Sequence, residues 1–285
     1  MTNCLEVKNI SKSFGEFTLR DISFTLPKGY IMGLIGPNGS GKTTTIKLIL
    51  NMLRRDSGSI NIFGLDNISH EQEVKKKTGA VFEPCFFDGE WSVAQTEKNL
   101  SVFYENWDSA LFSELLGKFR ISAKKLVKEL SKGMQMKLML ACALSYNAKL
   151  LILDEPTSGL DPVSRDELLE YLNEYISDGE HSVLFSTHIT SDLQRSADYI
   201  TYITDGEMFF TGGKDEFTEM FRIAKGGTDE LTPRLTEKAL GIRKYSLGFE
   251  ALVKTESLHE LPDLHAEPAS IDDIIIFTAK RSEKN

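Results

Sequence analysis

Hydrophobic and polar residues are arranged along this chain in patterns that predict a mixed α/β protein. Residues 5–10 and 17–26 alternate apolar and polar side chains, as half-buried strands do, and residues 11–16 between them predict a turn. Continuous apolar runs predict strands that are buried on both faces, at residues 30–35, 150–153 and 182–188. Helical patterns follow, at residues 44–50, 135–145 and 163–176.

The middle of the chain predicts a helical insertion between two strands of a central sheet. Its helical pattern covers residues 92–130, and we expect the whole subdomain to span residues 84–135. We interpret its bulky side chains as core residues, namely Trp91, Phe103, Tyr104, Trp107, Phe112 and Phe119. Short strands are predicted nearby at residues 58–64 and 79–82, and a solvated helix at residues 70–77.

The C-terminal quarter gives weaker signals. Residues 198–203 and 206–212 predict a closing β-hairpin with Asp205 and Gly206 at its turn. Residues 226–229 have the composition of a linker, and residues 242–253 and 271–279 are strand-like. We therefore predict a main domain over residues 1–214 and an extension of unknown role over residues 215–285.

Composition and charge narrow the possible functions. A hydrophobic content of 41% and a charged content of 26% are typical of soluble globular proteins. The net charge of −9 argues against a nucleic-acid partner and against direct anchoring to anionic lipid. No apolar run is long enough to span a membrane, and we expect no secretory signal. The three cysteines lack metal-ligand spacing, so we expect reduced thiols in a cytoplasmic protein.

Residues 36–43 fit the phosphate-binding pattern Gly-x-x-x-x-Gly-Lys-[Ser/Thr], between a predicted strand and a predicted helix. Glycines allow the backbone to turn tightly, so that its N–H groups and the helix N-terminus face phosphate oxygens. Lys42 is expected to reach the β- and γ-phosphates, and Thr43 to offer its hydroxyl to Mg²⁺. We predict that the nucleotide-binding residues here are Gly36, Pro37, Asn38, Gly39, Ser40, Gly41, Lys42, Thr43 and Thr44.

Two carboxylates, those of Asp154 and Glu155, follow directly after the buried strand predicted at residues 150–153. Parallel strands place their chemistry at their carboxyl ends. Asp154 is therefore placed to hold Mg²⁺, and Glu155 to accept a proton from an attacking water. His188 ends the next buried strand and is a candidate sensor of the γ-phosphate. With Lys42, we predict that Glu155 and His188 are the catalytic residues.

These motifs together resemble those of one family, the ATP-binding subunits of ABC transporters, over residues 5–212. Residues 36–43 resemble its Walker A loop, 150–155 its Walker B strand, 130–134 its signature and 158–161 its D-loop. The resemblance implies an α/β fold: a P-loop NTPase core, an antiparallel β-subdomain and a helical subdomain, here with a small C-terminal extension. It also implies two ATP molecules, with Mg²⁺, held between two subunits in a head-to-tail pair. The signature residues Ser131 and Gly133 and the D-loop Asp161 would complete the partner's site.

Further positions bear on this resemblance. Phe14 resembles the family's adenine-stacking aromatic, although a packing role fits its spacing equally well. Glu83 stands where the family usually has a glutamine, and we predict that it contacts nucleotide and Mg²⁺. Lys132 replaces a glycine of the signature, and either adds a cation near phosphate or points to solvent. These variants resemble those of exporters whose ATPase and membrane parts are separate chains.

We therefore expect an ATPase that powers an exporter through a separate membrane permease, and that is peripheral to the inner face of the cell membrane. Its second ATPase subunit is most simply another copy of this chain. The permease contact is predicted around residues 83–99, where Trp91 is either an exposed contact or ordinary core. The rival interpretations are a soluble ABC-type ATPase that is not coupled to transport and a binding module that has lost hydrolysis.

Overall fold

The computed structural model describes residues 2–261 and 264–282. The strands are β1 (Asn3–Phe14), β2 (Phe17–Pro27), β3 (Ile31–Ile35), β4 (Ser57–Ile62), β5 (Leu65–Asp66), β6 (Thr78–Val81), β7 (Leu150–Leu153), β8 (Ser182–Thr187), β9 (Tyr199–Thr204), β10 (Glu207–Gly213), β11 (Phe221–Gly226), β12 (Gly241–Lys244), β13 (Phe249–Lys254) and β14 (Ala266–Pro268). The helices are α1 (Lys42–Ile49), α2 (Glu71–Lys77), α3 (Val93–Ser101), α4 (Ser109–Lys118), α5 (Lys132–Ser145), α6 (Pro162–Tyr175), α7 (Thr190–Ser196), α8 (Lys214–Glu219), α9 (Pro233–Lys238) and α10 (Ile271–Ser282).

A six-stranded sheet in the order β10-β9-β3-β8-β7-β6 forms the centre of the molecule. Its strands pair in parallel except for β10, which closes the edge as an antiparallel hairpin with β9. All residues of β3, β7 and β8 are buried, as predicted, although β8 also buries three polar residues, Ser182, Ser186 and Thr187. Because β3, β6, β7 and β8 run in the same direction, the segments that follow them meet at one edge of the sheet.

A second, antiparallel sheet has the order β2-β1-β4-β5 and confirms the predicted β-layer. The turn predicted at residues 11–16 is wrong in extent. β1 continues to Phe14, and only Gly15 and Glu16 lie between it and β2. Backbone pairing continues through Lys12 and Ser13 although these residues break the apolar alternation. A hydrogen bond from the Ser13 N–H to the Asp56 carboxylate stabilises this end of the strand.

The helical insertion is divided into α3 and α4, a short 3-10 helix at Val127–Glu129, and α5. Ser92 and Gln95 form a reciprocal capping box at the start of α3, which fixes where that helix begins. Phe112 is buried, as predicted, but the prediction that Phe103 is a core residue is wrong. Phe103 lies just beyond α3 and is 74% exposed. Trp91 is half-buried.

The C-terminal extension forms a third sheet in the order β12-β13-β11-β14. The strand signal at residues 242–253 is confirmed as the hairpin β12–β13, whereas residues 226–229 connect elements within this extension. The strand-like prediction for residues 271–279 is wrong, because these residues belong to α10. Ser270 and Asp273 cap this helix reciprocally.

Helix α10 packs against the main domain. Ile271, Ile274 and Phe277, spaced three residues apart, belong to the same apolar cluster as Leu193 and Tyr202. The Tyr202 hydroxyl also lies 2.8 Å from the Thr278 hydroxyl. The end of the extension is thus part of the main hydrophobic core. No helix in residues 2–261 and 264–282 is long and apolar enough to cross a membrane.

Candidate active site

The loop between β3 and α1 needs glycine at two positions because of what lies beside it. A Cβ on Gly36 would lie 2.0 Å from the Ile203 carbonyl oxygen, and one on Gly41 would lie 2.7 Å from Leu19 Cδ1. Both glycines also have positive φ angles, +154° and +111°. Gly41 precedes α1 and supplies no side-chain cap, so the first N–H groups of α1 are free to face an anion.

Lys42 lies at the bottom of this loop. Its side chain is 7% exposed, and its ammonium group donates hydrogen bonds to the carbonyls of Gly36 at 2.8 Å and Pro37 at 3.2 Å. Burial lowers the pKa of Lys42, and the nearby carboxylates of Glu155 and Asp154 oppose that shift. The ammonium group thus points across the loop, where phosphate oxygens would be well placed to accept from it.

Thr43 and Asp154 are in direct contact, although they are far apart in sequence. The Thr43 hydroxyl donates to Asp154 Oδ2 at 2.9 Å, and the Ser186 hydroxyl donates to Asp154 Oδ1 at 2.6 Å. Hydroxyl and carboxylate oxygens are the ligands that Mg²⁺ prefers, so this pair fits Mg²⁺. The residues that the structure describes hold no group of three His, Cys, Asp or Glu that could bind a metal.

Glu155 has an unusual backbone conformation and two specific partners. Its φ angle is +51°, in the left-handed region that non-glycine residues seldom occupy. Its N–H donates to the Ser186 hydroxyl at 2.9 Å, and its Oε2 lies 2.8 Å from His188 Nδ1. Glu155 Oε1 is 3.8 Å from Lys42 Nζ. A carboxylate held in this way beside a phosphate-binding lysine can accept a proton from water.

The site therefore brings together Lys42, Thr43, Asp154, Glu155 and His188, as the sequence predicts. Comparison with known proteins places this arrangement in a family. A family model described as ABC transporter matches residues 19–158. The lantibiotic transport ATP-binding protein SrtF of Streptococcus pyogenes is 33% identical over 232 residues, covering 76% of this chain and 95% of that protein. The chain belongs to the ATP-binding subunits of ABC transporters.

Other relatives agree with this assignment. The ABC transporter ATP-binding protein YtrB of Bacillus subtilis is 31% identical over 221 residues, covering 76% of this chain and 74% of that protein. A solved ATP-binding subunit of an ABC transporter, 29% identical, superposes with a TM-score of 0.68 over 75% of this chain and 91% of its own. The predicted fold class, ATP binding and ATPase activity are thereby confirmed.

Ser186 and a buried carboxylate, that of Asp192, also belong to the site of this ABC ATPase and were not predicted from its sequence. The hydroxyl of Ser186 joins Asp154 to the backbone of Glu155, and its sequence signal is a polar residue within an apolar strand. Asp192 is fully buried and accepts from the Thr157 hydroxyl at 2.6 Å and from Arg165 Nε at 2.5 Å. It thereby ties the turn after Glu155 to α6 and α7.

Other predicted site residues of this ATPase lie elsewhere in the subunit. Ser131 accepts from the Met134 N–H at 3.3 Å and so caps α5. Asp161 accepts from the N–H groups at the start of α6, at 3.1 Å each. Gly133 packs against Leu160, whose Cδ2 lies 3.0 Å from the position of a Cβ on that glycine. Within one subunit these residues shape the starts of two helices, and no hydrogen bond or ion pair in the described part of the chain joins them to the 36–44 loop.

The aromatic residue that lines the space beside the loop is Phe17. A cavity of about 280 Å³ is lined by Phe17, Pro37, Asn38, Gly39 and Ser40 among others, and Phe14 is not part of its lining. Phe14 is 42% exposed and has the Lys12 ammonium group 5.7 Å from its ring centroid. The adenine-stacking role of Phe14 stays a prediction, and Phe17 is a second candidate that periodicity alone did not indicate.

Proposed function

We propose that this ATPase powers an ABC exporter through a separate membrane permease, and that ATP joins two of its copies. The cargo class we propose is a small peptide, an antibiotic or another amphipathic molecule. The relative named for lantibiotic transport supports this class. The observation that carries the hydrolytic part is the position of Glu155, held by Ser186 and His188 beside Lys42.

In the proposed mechanism, Lys42 and the loop N–H groups bind the phosphates of ATP. Mg²⁺ on Thr43 and Asp154 would neutralise charge on the β- and γ-phosphate oxygens. Glu155 accepts a proton from the attacking water, while His188 fixes the carboxylate and faces the γ-phosphate. The left-handed backbone at Glu155 aims its side chain toward Lys42, and Ser186 holds that backbone in place.

The placement of the signature residues supports the proposed pairing of two subunits. Ser131 and Gly133 lie at the start of α5, where the helix N-terminus presents N–H groups and positive dipole to an anion. Within the described residues of one chain, no hydrogen bond or ion pair joins this end of α5 to the 36–44 loop. A head-to-tail partner would bring it to the open side of the nucleotide, where Asp161 would also contribute.

Exposed apolar side chains support a permease contact on the helical subdomain. Phe86 is 59% exposed and Phe103 is 74% exposed, and Val102 beside it is also exposed. Val102 and Phe103 are adjacent in sequence, and contiguous exposed apolar surface is typical of protein contacts. We propose that these residues, with the half-buried Trp91, bind the permease and hold the ATPase at the inner face of the membrane.

Replacing the proposed base tests the hydrolytic part. Glu155→Gln is expected to lower ATP turnover by about 10²–10⁴, the range for losing a general base, while ATP still binds. Phosphate release measures turnover, and size-exclusion chromatography with and without ATP measures pairing. Glu174→Gln is the matched control, because Glu174 pairs with Lys118 on the surface. Wild-type turnover in Glu155→Gln contradicts the assigned role.

A pull-down tests the transport part. The tagged chain is expressed in its native cell, membranes are dissolved in mild detergent, and bound proteins are identified. A stoichiometric multi-span protein is the expected result, and Phe103→Asp should weaken its recovery. Recovery only from the soluble fraction would instead favour the alternative of an ABC-type ATPase that is not coupled to transport.

A further inference from the structure

Two charged residues meet at the boundary between the ATPase core and the helical subdomain. Glu83 follows β6 and Lys132 is the first residue of α5, and their side chains form an ion pair. Val81 of β6 is in register with Leu153 of β7. Glu83 therefore leaves the sheet at the same edge as Asp154, on the neighbouring strand.

The N-terminus of α5 explains why this pair forms. A lysine in the first turn of a helix is unfavourable, because the helix dipole places positive charge there. The first turn of α5 contains no acidic residue. The Glu83 carboxylate supplies a negative charge from another segment and pairs with the Lys132 ammonium group.

The pair is also placed where three segments of the site come together. Glu83 and Lys132 line a small cavity of about 60 Å³ with Met136 of α5 and with Ser158 and Leu160, which follow Glu155. A change in the partner of Glu83 is thus in a position to alter the contact between α5 and the strand ends that carry the catalytic side chains.

We infer that Lys132 is a positioning residue that holds the Glu83 carboxylate away from the metal side of the site until nucleotide binds. This inference rests on the Mg²⁺–ATP site proposed above. Mg²⁺–ATP and Lys132 then compete for one carboxylate. When Glu83 turns toward the metal side, Lys132 at the start of α5 loses its ion-pair partner.

The size of the effect follows from the exposure of the pair. The side chains of Lys132 and Glu83 are 71% and 33% exposed, so solvent screens their attraction. Exposed ion pairs correspond to changes in equilibrium constants of roughly two- to fivefold. Lys132→Gln is therefore expected to tighten binding of Mg²⁺ with a non-hydrolysable ATP analogue by about that factor, and added salt should reduce the difference.

A double-mutant cycle tests the competition. Mg²⁺ is titrated into the full-length protein with a fluorescent non-hydrolysable ATP analogue, at protein concentrations where it is monomeric. Lys132→Gln should tighten Mg²⁺-dependent binding in the wild-type background and have no effect in the Glu83→Gln background. Lys128→Gln is the matched control, because Lys128 forms a comparable exposed pair with Glu90 outside the site.

A charge-swapped variant separates two roles of Glu83, its contribution to stability through the ion pair and its contribution to nucleotide binding. Glu83→Lys combined with Lys132→Glu restores the ion pair but removes the carboxylate from position 83. Its melting temperature should recover relative to Glu83→Lys alone, while Mg²⁺-dependent binding stays weak. Additive single-variant effects, or weaker binding in Lys132→Gln, overturn the inference. If the wild-type protein does not bind the ATP analogue at all, the proposed nucleotide site itself is refuted.

Discussion

Removing the Ser186 hydroxyl tests whether the active-site carboxylates depend on a residue that binds no phosphate. This hydroxyl donates to Asp154 Oδ1 at 2.6 Å and accepts from the Glu155 N–H at 2.9 Å. Losing a hydrogen bond to a charged group costs about 1.5–3 kcal/mol, and a buried N–H left without a partner costs about 1–3 kcal/mol. Such losses are not additive, and we expect Ser186→Ala to destabilise the protein by about 2–4 kcal/mol.

Ser186→Ala should lower ATP turnover by more than its loss of stability would cause. The left-handed backbone at Glu155 is itself unfavourable by about 1–2 kcal/mol, and the Ser186 hydroxyl is the acceptor that holds its N–H. Without this acceptor the peptide is free to relax, which moves the carboxylate away from the water it must deprotonate. Misplacement of a reacting group by an ångström costs about 10²-fold, so we expect a decrease of about 10- to 100-fold in kcat.

Strand β8 itself provides the control. Ser182 lies at the opposite end of the same strand, is equally buried, and accepts from the Gly29 N–H at 2.9 Å. Ser182→Ala should cost about 1–3 kcal/mol of stability and leave turnover unchanged. Urea unfolding followed by circular dichroism measures stability, and phosphate release measures turnover. Equal turnover in the Ser186→Ala and Ser182→Ala variants would refute the role assigned to Ser186.

Two further predictions concern the extension and the phosphate-binding lysine. Phe277→Ala should destabilise the ATPase core by about 3–5 kcal/mol, because its ring is 2% exposed in the main core. The exposed Phe103→Ala is its control in urea unfolding, and equal stability of both variants would contradict packing of α10 on the core. Burial lowers the pKa of Lys42, and phosphate binds the ammonium form, so nucleotide affinity should fall as pH rises through that pKa. Fluorescent nucleotide titrations from neutral to alkaline pH measure this, and an affinity that does not change would contradict it.

The central strands and the phosphate loop were predictable because their physical requirements are local. Strands buried on both faces need predominantly apolar sequence, and β3 and β7 contain no polar side chain. The phosphate loop has glycine and lysine at fixed spacing between a strand and a helix, and this pattern lies wholly within residues 36–43. These features can be recognised in the sequence without knowing which distant residues are in contact.

The features that sequence analysis missed depend on residues far apart in the chain. Ser186 is recognisable only once β8 is placed beside β7, which brings it to Asp154. Helix α10 was missed because its isoleucines favour a strand in isolation. Burial of Ile274 and Phe277 on one face, together with the Ser270 cap, decides for a helix. Tertiary packing here overrides the local preference.

The contrast between buried and exposed contacts indicates which parts of the site can move. Asp192 is buried and accepts hydrogen bonds from the hydroxyls of Thr157 and Thr187. Thr157 follows Glu155 by two residues, and Thr187 ends β8 directly before His188. Asp192 also pairs with Arg165. A fully buried carboxylate without partners is strongly unfavourable, so these two catalytic segments should stay together throughout a cycle. Breaking the more exposed ion pair between Glu83, after β6, and Lys132 of α5 costs only about 0.2–1 kcal/mol. The proposed closure of two subunits on ATP is therefore expected to move the helical subdomain against a rigid catalytic centre.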